Sequence, residues 1–144
     1  MSLSGFLDTL RERGFIEQTT DEAALEKLFS EGGDTVSAYI GFDPSSSSLH
    51  VGSLVPLLFL RRFQKAGHRP IALVGGATGM IGDPSGKSEE RNLLSVDKLR
   101  ANVHGIETQM RRFLDFDCGD QSALVTNNFD WMRKFSFLDF LRDV

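Results

Sequence analysis

Cysteine is nearly absent from this chain. Cys118 is its only one, which excludes an internal disulfide and any cysteine-rich metal site. It reads as a half-buried thiol near a loop. A basic surplus is missing too: 16 Lys and Arg stand against 20 Asp and Glu, a formal net charge of −4. A domain that grips a nucleic-acid backbone by itself carries a positive excess, so any RNA contact is expected to lie mostly elsewhere. Long hydrophobic runs are absent. The stretch Leu54–Leu60 is broken by Pro56 and falls far short of the roughly 20 apolar residues that cross a bilayer. The opening Met1-Ser2-Leu3-Ser4-Gly5 has no basic flank leading into an apolar segment, so no secretory signal is read. A cytoplasmic protein without membrane contact is expected.

What is present fits one domain with its own core: 144 residues, 40% hydrophobic and 25% charged, ordinary values for a soluble chain. Phe6, Leu7 and Leu10 share one side of a helix predicted over Ser4–Arg13 and ended by Gly14. Thr19 with Glu22 has the form of a capping box. It opens a second helix with Ala24, Leu25, Leu28 and Phe29 inward, stopped by Gly32-Gly33. Val36–Phe42 is rich in β-formers and reads as a strand. A loop follows, Asp43-Pro44 and four serines, and then a helix from about His50 to Phe63 that Gly67 closes. Pro70–Val74 reads as a second strand, buried on both faces.

Gly75–Ser88 is so rich in glycine, with Pro84, that irregular structure is expected. Val96, Leu99, Val103, Ile106, Met110 and Phe113 recur at three- and four-residue steps and predict a helix over Ser95–Phe116. Ala123–Thr126 reads as a third strand and Phe135–Leu141 as the start of another helix. Alternating strands and helices imply a parallel sheet with right-handed crossovers, whose ligands sit beyond the strand carboxyl ends. The loops after Phe42 and Val74 leave from that edge. Phe137–Val144 ends inside an apolar helical pattern, and the chain is therefore expected to be a fragment.

Two segments carry chemistry. In Tyr39–Ser53 a strand gives way to a loop and a helix amino terminus, where free N–H groups and the helix dipole attract phosphate. His50 at the helix mouth can donate to a phosphate oxygen as charge develops. Gly52 leaves room for a flat ring against the backbone. Taken alone, His50 reads more simply as a first-turn helix residue and the serines as a plain linker. In Gly75–Ser88, the run Gly86-Lys87-Ser88 suggests a Walker A loop, but Ile81 stands where that motif needs glycine. The G-x-x-G-x-x-G spacing is not the dinucleotide fingerprint either. What remains is a loop bearing one carboxylate, Asp83, and the cations Lys87 and Arg91. Asp83 can pair with an ammonium group and Lys87 with phosphates or nucleic acid; a solvated turn is the plain alternative.

Together the segments resemble the class I aminoacyl-tRNA synthetases, and among them the bacterial tyrosyl enzymes. Gly41-Phe42-Asp43-Pro44 leading to Ser48-Leu49-His50-Val51-Gly52 is similar to the His-Ile-Gly-His signature. Ala66–Gly79, Gly82–Lys87, Phe113–Phe116 and Asn127–Trp131 are similar to the tyrosyl enzymes nearly residue for residue, and the likeness runs from about Gly14 to Val144.

The resemblance implies an α/β fold: a Rossmann-like parallel sheet with flanking helices, incomplete within this chain. Residues 1–34 would form an N-terminal helical segment and 35–144 the first part of the catalytic domain. It implies activation of L-tyrosine by ATP, with Mg2+ accompanying the nucleotide and no tightly bound cofactor, then transfer to tRNA(Tyr) by an enzyme that is homodimeric at full length. By motif position Tyr39 would meet the substrate phenol and Asp83 the ammonium group, beside Thr78. Asn128 and Trp131 would close the tyrosine pocket. Gly41, Asp43, Gly52 and Ser53 would lie along the nucleotide, and Ser45 and His50 on its phosphates. Lys87 and Arg91 would sit near the phosphates on a loop. Tyr39 and Trp131 also have a plain reading as core residues.

Ser53 replaces the final histidine of the signature, and Ile40 stands where some relatives carry cysteine. No Lys-Met-Ser-Lys-Ser-type loop, second half-sheet or anticodon-recognising domain occurs in the 144 residues, so the isolated chain is expected to form little aminoacyl-tRNA. Two other readings stay open: a nucleotidyltransferase with a His-x-Gly-His-type turn, and a non-catalytic binding module.

Overall fold

A computed structural model of the chain describes residues 4–30, 35–81 and 95–143. Helix α1 spans Ser4–Glu12 and α2 Glu22–Ser30. Gly14 takes φ 67° after α1, a left-handed turn that costs glycine nothing. The α2 cap is not Thr19: Asp21 Oδ1 accepts the Ala24 N–H at 2.9 Å, because Asp21 directly precedes the first helical residue, Glu22. Of the four side chains expected inward on α2, only Phe29 is buried. Leu25 is half-buried, and Ala24 and Leu28 are exposed.

Three parallel strands follow, β1 (Ser37–Phe42), β2 (Arg69–Val74) and β3 (Leu124–Asn127), in the order β1-β2-β3. Helix α3 (Leu54–Lys65), entered through a 3-10 turn at Val51–Ser53, joins β1 to β2. Helix α5 (Val96–Met110) lies between β2 and β3 and is capped by Ser95 Oγ on Lys98 N–H. It stops six residues before the expected Phe116. Leu57 and Leu60 of α3 and Ile106 and Met110 of α5 cluster with Phe42 and Ala72 against one sheet face. The opposite face is half open. Ser37, Tyr39 and Gly41 alternate as exposed positions along β1, and β2 is buried at every second residue only. The strand predicted to be buried on both faces is therefore covered on one.

A second cluster holds Phe6, Leu7, Leu10, Phe29 and Phe63, and Phe59 packs against both clusters. Helix α3 thus supplies two cores and fastens α1 and α2 to the sheet layer. Gln64, 9% exposed, closes the lower edge. Its Oε1 accepts from Asp115 N–H at 2.9 Å, and its Nε2 donates to Asp115 O at 2.6 Å and Gln121 O at 2.9 Å. Cys118 is exposed rather than half-buried, because it sits in the turn before Gly119–Gln121.

Gly76–Ile81 forms a helix, α4, where irregular backbone was expected. The cause is distant in sequence. Asn127 Oδ1 accepts the Gly76 N–H at 3.1 Å and Asn128 Oδ1 accepts the Ala77 N–H at 2.6 Å, which satisfies the first donors of the helix from outside. Two short helices end the described chain, α6 (Phe129–Met132) and α7 (Phe137–Asp143).

Candidate functional site

The site is built on the level ends of three strands. Phe42 pairs with Val74 and Val74 with Asn127, so the three exits emerge side by side. Gly75 N–H donates to Phe42 O at 3.0 Å and Asn128 N–H to Val74 O at 3.1 Å, extending the ladder one step. Gly75 has no space for a side chain: a Cβ there would lie 2.5 Å from Thr78 Oγ1 and 3.2 Å from Asp43 Oδ1. The Thr78 hydroxyl donates to Gly75 O at 3.1 Å and accepts from Asn128 Nδ2 at 3.3 Å. Asp43, Thr78 and Asn128, which lie far apart in sequence, therefore meet around one glycine at the carboxyl edge.

The loop after Phe42 leads to His50. Its Nδ1 accepts the Gly52 N–H at 3.0 Å, which leaves Nε2 as the protonated, donating nitrogen of the neutral ring. The ring that lies against Gly52 is this imidazole: a Cβ on Gly52 would come 2.8 Å from His50 Cε1. His50 and Ser45 are exposed. Ser53, at the start of α3, makes no capping bond with its side chain. Tyr39 is 69% exposed and Trp131 43%, so the core reading of either residue fails. A Cβ on Gly41 would meet nothing within 4 Å, leaving the strand open two residues beyond Tyr39. Asp83, Lys87 and Arg91 lie outside the described residues.

The structure thus brings Asp43 and Thr78 together beside Gly75 and bonds Thr78 to Asn128. Tyr39 and Gly41 stand on the strand that delivers Asp43. His50, Gly52 and Ser53 form a separate turn. Sequence reasoning missed Asn127, whose Oδ1 also accepts Phe129 N–H at 3.0 Å. It also missed a polar face on α5. Asn102, fully buried, donates Nδ2 to Pro44 O at 3.0 Å. Gln109 Oε1 accepts Leu49 N–H at 2.9 Å while its Nε2 donates to Ser48 Oγ at 3.2 Å. The available signal was the spacing of Asn102, Gly105 and Gln109 beside the apolar stripe. No cluster of three His, Cys, Asp or Glu side chains suited to a metal occurs among the described residues.

A parallel sheet with crossover helices and loops leaving its carboxyl edge side by side defines an α/β protein of the Rossmann-like kind. Residues 31–144 match the profile of the tRNA synthetases class I (W and Y), and the chain belongs to that family. It is 61% identical over 141 residues to the tyrosine–tRNA ligase of Rhodopirellula baltica, covering 98% of this chain and 32% of that protein. To the tyrosine–tRNA ligase of Yersinia enterocolitica it is 54% identical over 144 residues, covering 100% of this chain and 34% of that protein. The chain thus spans about a third of the length of these relatives. The crystal structure of a C-terminally truncated Aspergillus nidulans mitochondrial tyrosyl-tRNA synthetase superimposes with a TM-score of 0.79 at 29% identity, covering 96% of this chain and 41% of that one. A truncated Coccidioides posadasii mitochondrial tyrosyl-tRNA synthetase gives a TM-score of 0.71 at 28% identity, covering 99% and 39%.

Proposed function

We propose that this protein works as a tyrosine–tRNA ligase. The tyrosine carboxylate attacks the α-phosphorus of ATP, the bond to the bridging oxygen breaks, and pyrophosphate leaves with tyrosyl adenylate formed. A ribose hydroxyl at the end of tRNA(Tyr) then attacks the activated carbonyl and AMP departs. Mg2+ enters with the ATP as part of the substrate. No covalent enzyme intermediate arises, so the chain contributes positioning and electrostatic stabilisation.

The observation that carries the reading is the meeting of Asp43, Thr78 and Asn128 around Gly75 in a chain of this family. In this scheme Tyr39 bonds the substrate phenol, and a substrate lacking that hydroxyl leaves the polar group unpaired. Asp83 takes the ammonium group beside Thr78, and Asn128 and Trp131 border the tyrosine. Gly41, Asp43 and Gly52 line the nucleotide, with Ser53 toward the ribose. Ser45 and His50 bind the phosphates, the latter through Nε2–H, and Lys87 and Arg91 approach the same phosphates. Residues 35–144 bear these groups, and residues 1–34 support them. The exposed Phe137, Leu138, Phe140 and Leu141 of α7 support a homodimer that buries this apolar strip. The cytoplasm is the compartment proposed; no described helix is long and apolar enough to cross a membrane.

Calorimetric titration with tyrosine, phenylalanine and ATP tests the reading. Selective tyrosine binding is expected. ATP binding without tyrosine selectivity would favour a nucleotidyltransferase, and binding of neither a non-catalytic module.

A further inference from the structure

We infer that Asn102, Gly105 and Gln109 of α5 form a rail that positions the Pro44–Leu49 loop for the phosphates of ATP, a role that rests on the ligase reading above. The three residues follow one another at three- and four-residue steps and so share one helix face. Each meets a different point of the loop. Asn102 Nδ2 holds the Pro44 carbonyl at 3.0 Å. Gly105 lies so close to Ser47 that a Cβ would strike its carbonyl oxygen. Gln109 takes the Leu49 N–H at 2.9 Å and gives a hydrogen bond to Ser48 Oγ at 3.2 Å. Held at Pro44, Ser47, Ser48 and Leu49, the loop is left with Ser45 exposed and delivers His50, exposed, one residue further on.

Helix stability does not account for these residue types. Glycine in a helix interior gives up conformational entropy and is among the poorest helix formers. Asn102 is fully buried, and its Oδ1 has no partner among the described residues, a desolvation cost that leucine at the same place would avoid. Both residues suit an incoming backbone: one supplies a donor for a carbonyl, the other the absence of a side chain. Departures from local rules of this kind gather where function demands a fixed geometry. They are positioning residues, acting on ATP through the loop.

The test compares ATP and tyrosine binding by calorimetry in the unsubstituted protein and in Gln109→Leu, Gly105→Ala and Gln109→Glu. Gln109→Leu removes the acceptor for Leu49 N–H and Gly105→Ala pushes the loop away. Each is expected to weaken ATP binding about tenfold or more while tyrosine binding stays within about twofold. Gln109→Glu keeps an acceptor oxygen for Leu49 N–H and is expected to restore most of the ATP affinity, whereas a role in stability alone would lower tyrosine and ATP affinity together in the other two variants. Should ATP bind equally well to all four proteins, or should tyrosine and ATP affinity fall in step, the rail is overturned while the ligase reading stands. An unsubstituted protein that binds no ATP overturns the ligase reading and the rail with it.

Discussion

His50 and Gly52 depend on each other. The imidazole lies over the glycine and accepts its N–H, which fixes the tautomer that leaves Nε2 as the donor. Gly52→Ala forces the ring to swing and breaks that bond. The expected result is a fall of about tenfold in ATP affinity by calorimetric titration, with little change in melting temperature because the turn is exposed. His68 behaves differently. It is 2% exposed among Phe6, Phe29 and Phe63, and Nδ1 accepts Val36 N–H at 3.4 Å. Burial pushes its pKa below the ordinary imidazole value, so the unfolded chain takes up the proton first. Stability is therefore fully present above about pH 6.5 and is lost as pH falls below it, by up to about 1.4 kcal/mol per pH unit until the buried ring itself titrates. Urea unfolding between pH 7.5 and 5 should show this slope, and His68→Phe should flatten it. The chemical identity of the signature residues was legible in the sequence. That His50 and Gly52 lock each other was not, because it depends on ring placement.

At the scale of the element, α5 was legible because its apolar side repeats at helical spacing. Strand β2 was legible because a short β-forming run sat between a glycine turn and a glycine loop. Helix α4 was not legible. Its sequence, Gly76-Ala77-Thr78-Gly79-Met80-Ile81, has poor helix propensity, and its first donors are satisfied by side chains about fifty residues later. Asn127→Ala leaves the N–H groups of Gly76 and Phe129 without their acceptor and should cost about 1–3 kcal/mol in denaturant unfolding. Asn127→Asp, which keeps an acceptor oxygen, should retain most of that stability. The Gln64 tie was hidden for the same reason. Gln64 in the last turn of α3 satisfies the backbone of Asp115 and Gln121, partners more than fifty residues away. Gln64→Leu should lose about 2–3 kcal/mol by the same measurement, since three hydrogen-bonding groups are left buried or half-buried.

For the whole molecule, the parallel arrangement and the side-by-side strand exits followed from the alternation of elements. The half-open sheet face did not, because a strand of apolar residues reads alike with one or two layers upon it. Nor did the exposure of Tyr39, whereas the open apolar face of α7 was legible in the unbroken pattern of Phe137–Val144. A dimer that buries α7 should dissociate when Phe137→Glu and Leu141→Glu are combined, which light scattering would detect as a halved mass. The placing of Phe59 between two aromatic and aliphatic clusters has a thermodynamic consequence. Residues 4–30 cannot come loose without baring Phe59 and Phe63 on one flank of α3, which couples their unfolding to that of the sheet layer. Heating should therefore give one endotherm whose van't Hoff and calorimetric enthalpies agree.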